Sequence, residues 1–110
     1  MKYLKYFENN INISELELKN LKGKNIPKHV GGDFDCRNNE LTSLEHCPEH
    51  VGGDFDCSDN QLTSLEHCPE HVGGYFDCSY NQLTSLEFCP ETVDGFFWCN
   101  NNPWTNVIPY

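Results

Sequence analysis

From Ile26 onward the apolar positions of this chain return every 21 residues. Val30, Val51, Val72 and Val93 form one column; Phe34, Phe55, Phe76 and Phe97 form a second. Cys36, Cys57, Cys78 and Cys99 form a third. Leu41, Leu62 and Leu83 are continued by Trp104, and Leu44, Leu65 and Leu86 by Val107. Polar positions keep the same phase, in the columns Pro27, Pro48, Pro69, Pro90 and Asn39, Asn60, Asn81, Asn102. Residues 46–66 read HCPEHVGGDFDCSDNQLTSLE, residues 67–87 read HCPEHVGGYFDCSYNQLTSLE, and only two positions differ. Such a period is too long for a heptad and too short for a helical hairpin; it suits one turn of a solenoid.

Within a unit the alternation F-x-C predicts a short strand, such as Asp54–Cys57, with Phe55 and Cys57 inward. Strands of successive units would stack in parallel about 4.8 Å apart. Leu62, Leu65, Cys68 and Val72 would close the core from the other walls. Asn60 is predicted at the bend after the strand, buried, its amide bonding to backbone groups that the turn leaves unpaired. Gly52-Gly53 and Gly73-Gly74 read as residues that permit positive φ at the entry to each strand. Asp94-Gly95 serves there in the last unit. The proline column predicts an extended convex side, or a single 3₁₀ turn, rather than a long helix.

The unit F-x-C-x-x-N-x-L-T-S-L resembles the leucine-rich repeat pattern L-x-L-x-x-N-x-L. Its NQLTSL segment, followed by proline, is most similar to the short repeats of secreted bacterial effector proteins. VGGDFDCSDNQLTSLE also resembles repeats of small phage and bacterial proteins. The resemblance covers residues 26–107 and implies a leucine-rich repeat solenoid of about four coils. Such a solenoid is a short right-handed α/β-type superhelix, mainly β, with a parallel concave sheet. Residues 1–25 would be an N-terminal cap or an irregular first coil, and the aromatic stretch to Tyr110 a C-terminal cap. The effectors' ubiquitin-ligase domain has no counterpart, so the resemblance implies no catalytic activity.

Charge sharpens this picture. The formal net charge is −10. Six lysines against Glu8, Glu15 and Glu17 leave residues 1–28 at +3, while Arg37 against fourteen acids leaves residues 29–110 at −13. Such a body repels nucleic acid and anionic membranes and attracts a basic partner. MKYLKYFENN lacks the apolar segment of a signal peptide and no apolar run approaches a membrane span, so a cytoplasmic setting is expected. There the seven cysteines would stay reduced.

HCPEH, present twice, has the look of a metal motif, but its columns break. His46 and His67 give way to Phe88, and His29, His50 and His71 to Thr92. Surface histidines on the convex side are the expectation. Asp35, Asp56 and Asp77, with Asp33 and Asp54, are the better candidates for a hard cation such as Ca²⁺. No nucleophile–base arrangement is seen, and neither an enzyme nor a cofactor is expected.

The informative positions are those the units vary. Asp54 becomes Tyr75 and Asp59 becomes Tyr80, both predicted outward on or just after the strand. The concave face then reads Asp33, Asp35, Arg37; Asp54, Asp56, Asp59; Tyr75, Asp77, Tyr80; Phe96, Trp98, running from acidic to aromatic. This predicts a protein-binding face for a basic partner. The phage-like side of the resemblance implies an inhibitor of a host defence nuclease, acting in the host cytoplasm. A Ca²⁺-binding solenoid, and one that self-assembles into homo-oligomers through its C-terminal aromatics, stay open as alternatives.

Overall fold

A computed structural model describes residues 26–104 together with the strand Ile11–Asn12. The chain order is β1 (Ile11–Asn12), β2 (His29–Val30), β3 (Phe34–Asp35), β4 (His50–Val51), β5 (Phe55–Asp56), β6 (His71–Val72), β7 (Phe76–Asp77), β8 (Thr92–Val93) and β9 (Phe97–Trp98). All pairing is parallel, and it builds two sheets, β1-β3-β5-β7-β9 and β2-β4-β6-β8. Register follows the columns, Phe34 on Phe55 on Phe76 on Phe97 and Val30 on Val51 on Val72 on Val93. Parallel neighbours need a long crossover, and here each crossover is the rest of the 21-residue turn. The molecule is a β-solenoid, with no helix among the described residues. β1 extends the first sheet beyond the 21-residue phase, with Ile11 beside Phe34. The rest of 1–25 and of the aromatic end, including Val107 and Tyr110, lies outside the described residues.

The core is the stack of columns. Val30, Phe34, Cys36, Leu41 and Leu44, with their equivalents through Leu83, are sealed from solvent. Phe34, Phe55 and Phe76 lie nearly parallel, centroids 5.6 and 5.5 Å apart, and Phe97 tilts by 43°. Each buried phenylalanine contributes about 1.5–3 kcal/mol by leaving water. In the last coil Leu86 and Phe88 are exposed, and Val93, Phe97, Cys99 and Trp104 are only partly covered.

The bends after β3, β5, β7 and β9 are held by asparagine. Asn60 Oδ1 accepts from the amides of Asn39 and Leu41 in the preceding coil, both at 2.9 Å. Its Nδ2 donates to the carbonyls of Cys36, Cys57 and Ser58. Asn81 and Asn102 repeat the pattern one and two coils later. One side chain therefore closes its own turn and ties it to the turn before.

The opposite side is extended, as the proline column predicts, and its extended segments form a second sheet, the His–Val strands; no 3₁₀ turn occurs among the described residues. Pro48, Pro69 and Pro90 are buried there. One expectation about this region needs correction. The glycine pairs are needed for space, not for positive φ. A Cβ on Gly52 would come within 2.5 Å of the Gly31 carbonyl oxygen, and one on Gly73 would meet that of Gly52. Neither Gly52 nor Gly73, nor Asp94, adopts a left-handed φ. The left-handed residues are others: the column Asn38, Asp59, Tyr80, Asn101 at 55–58°, the column His46, His67, Phe88 at 70–79°, and Glu40.

Candidate functional site

Strand register sets Asp35, Asp56, Asp77 and Trp98 side by side across the first sheet. Each aspartate folds back on the residue two further on. Asp35 Oδ1 accepts the Arg37 amide at 3.1 Å. Asp56 Oδ1 accepts the amide and hydroxyl of Ser58 at 3.0 and 2.6 Å, and Asp77 those of Ser79 at 3.0 and 2.5 Å. The column was expected to face outward into solvent, yet Asp56 is only 5% exposed. Burial pushes its carboxyl above the ordinary range; the Ser58 hydrogen bonds lower it, and the Asp77 and Asp35 charges raise it further. The Arg37 guanidinium spans the first two acids, Nε 3.4 Å from Asp35 and Nη1 3.6 Å from Asp56. Serine takes its place in the next two coils, so Asp77 faces no cation among the described residues.

Asp33 and Asp54 do a different job. Their Oδ1 atoms accept the backbone amides of Asp54 and Tyr75, at 2.7 and 2.9 Å, and so pin each coil to the next. This pinning stops at Tyr75, which has no carboxylate. One oxygen of each carboxylate in a Ca²⁺ reading of Asp35, Asp56 and Asp77 is thus committed to a turn. Among the described residues no three or more His, Cys, Asp or Glu side chains converge on a metal position.

Beyond Asp77 the face turns aromatic. Trp98 meets Tyr75 at 4.9 Å with the rings tilted by 49°, and stacks with Phe96 at 5.8 Å and 12°. Phe96 is 72% exposed and Trp98 44%. Burial raises the Tyr75 phenol, and the charges of Asp56, Asp54, Asp35 and Asp77 raise it further, which places this ring against the acidic column. Asp59 and Tyr80, predicted on the same face, are not on its strands. Both sit at the left-handed bend, where they line a separate open groove with Asn101 and Gln82. The eleven predicted residues therefore form two neighbouring surfaces.

One column holds a feature that sequence reasoning missed. His29, His50 and His71 are not independent surface side chains: their rings stack at 4.5 and 4.9 Å, and His71 Nδ1 lies 2.7 Å from the Thr92 hydroxyl. Three histidines spaced by 21 were the available signal. All seven thiols are free. Burial pushes Cys57 well above its ordinary value, and Cys68 and Cys78 up to about 12, so these sulfurs stay protonated at neutral pH.

No family model, curated protein or solved structure matches this chain. The site is read from its own geometry. No helix among the described residues is long and apolar enough to cross a membrane.

Proposed function

We propose that this protein is a non-enzymatic binding module, a short leucine-rich repeat protein whose five-stranded sheet presents its face to a basic protein surface. One observation carries the reading: the column Asp35–Asp56–Asp77 ends on the exposed rings of Trp98, Phe96 and Tyr75. Arg37 shows on this surface how a guanidinium seats across two stacked carboxylates. A partner's arginine would take the matching place over Asp77, with its stem along Trp98. Acidic charge steers such a partner, and desolvated aromatic rings supply most of the affinity. In its sharpest form, the partner is a nuclease whose basic nucleic-acid groove is occupied by this face.

The test is recovery of partners from lysate by the wild-type protein and by Tyr75→Ala/Phe96→Ala/Trp98→Ala, each at low and high salt. The wild type is expected to retain basic proteins that the triple variant loses, with retention falling as salt rises. Equal recovery by both proteins overturns the assignment to this face.

A further inference from the structure

The groove at the bend lies apart from the strand face and has chemistry of its own. It encloses ≈ 370 Å³, toward the lower end of the roughly 300–1,000 Å³ usual for small-molecule sites. Asp59, Tyr80, Gln82 and Asn101 line it in successive coils. Beneath them Asn60 and Asn81 use their amides to hold the turns, so the floor is rigid. The side chains of Asp59, Tyr80, Gln82 and Asn101 make no hydrogen bond or ion pair among the described residues.

Tyr80 and Phe88 are the large aromatic residues with a left-handed backbone among the described residues, and Tyr80 is the one that lines the groove. Its backbone is left-handed, φ 56°, as at Asn38, Asp59 and Asn101. Asparagine and aspartate tolerate that conformation, whereas a bulky aromatic residue there is an outlier. The preceding, nearly identical unit has aspartate at this position. An outlier retained against the repeat's own preference, with its ring 53% exposed beside a groove, marks a binding position.

We propose that this groove is a second binding site, specific for a neutral saccharide. The lining offers the carboxamides of Asn38, Gln82 and Asn101, with those of Asn60 and Asn81 turned to the bends, a phenol and one carboxylate, and no cation to hold an anionic ligand. A carboxamide pairs with neighbouring hydroxyls of a pyranose as donor and acceptor together, and a carboxylate accepts from two of them. The exposed Tyr80 ring supplies the flat apolar platform for the sugar's C–H face. The groove is open along the solenoid, so an oligosaccharide enters sideways without a lid.

The test is an amide-resolved NMR titration with neutral trisaccharides built from glucose, galactose and N-acetylglucosamine, and with an arginine-rich peptide. At least one saccharide is expected to shift the amides of Asp59, Tyr80, Gln82 and Asn101. The peptide is expected to act on the strand face instead. Tyr80→Asp restores the residue of the preceding coil. It should weaken the saccharide about tenfold while raising the melting midpoint by roughly 4–8 °C, as strain is released. A merely structural tyrosine would not give these opposite signs. Three results each overturn the proposal: no groove shift with any of the trisaccharides, undiminished binding by Tyr80→Asp, or groove shifts with the peptide alone. The first two leave the basic partner of the strand face untouched, and the third would move that partner to the groove.

Discussion

Asn60 and Asp59 are adjacent in sequence, and one faces into the bend while the other faces out of it. The inner position is asparagine in every coil from Asn39 to Asn102; the outer one runs Asn38, Asp59, Tyr80, Asn101. Side-chain bonding explains the first column. Asn60 donates to three carbonyls and accepts from two amides, belonging to two coils. No other side chain combines a carbonyl and an amide at that length. In the outer column only the backbone is demanding, with φ near 57° throughout. The inner position is therefore fixed by what its side chain must do. The outer one is limited by what its main chain permits, and departures from that limit are informative.

The most damaging way to break this comparison is Asn60→Ala. It leaves the amides of Asn39 and Leu41 without their acceptor, and each buried orphan costs about 1–3 kcal/mol; the carbonyls of Cys36, Cys57 and Ser58 keep other donors. A domain holds only about 5–15 kcal/mol in all, so urea titration should find a markedly lowered midpoint. A cooperative fold with a near-native midpoint would show that the ladder is dispensable.

Asp59→Tyr applies the outer column's own substitution one coil earlier. The expected loss is about 1 kcal/mol from the left-handed backbone, read as a lowered urea midpoint with unchanged slope. No change would mean that a tyrosine is unstrained there, and Tyr80 would lose its meaning as an outlier.

The smallest effect is electrostatic. Burial raises the Asp56 carboxyl, so the folded state binds the proton more tightly than the unfolded chain does. Stability is then lost as pH rises from the ordinary carboxylate value through the folded value. Asp56→Asn keeps an acceptor for Ser58 and removes the charge. Its midpoint should exceed wild type at about pH 7 and match it near pH 3. A lower midpoint at neutral pH would mean that the bridge to Arg37 outweighs desolvation.

Much of this architecture was legible because stacking imposes columns. The inward Phe and Cys, the coil length and the bonded asparagine bend all follow from one period. The second sheet was not legible, since strands of two residues are too short to show alternation. Nor was the reason for the glycines: a pattern shows that Cβ is excluded, but not whether φ or the coil beneath excludes it. Asp56 looked like every outward aspartate, and the sequence pattern does not show that Arg37 reaches it from the neighbouring coil. The aromatic end of the strand face showed itself as two substitutions between near-identical units. That Tyr80 departs from that face could be learned only from its backbone.

The hydrogen bonds between coils join residues 19 to 24 apart, and no described bond skips a coil. The geometry is blind to how many coils there are. Loss or gain of one residue would put every column downstream out of phase, whereas loss or gain of a whole unit would leave each bond with an equivalent partner. Gene duplication by whole units is therefore the permitted path of change, and residues 46–87 still carry its imprint. A chain built this way can lengthen its binding surface one row at a time and then alter a single row, as the tyrosines of the third coil have done.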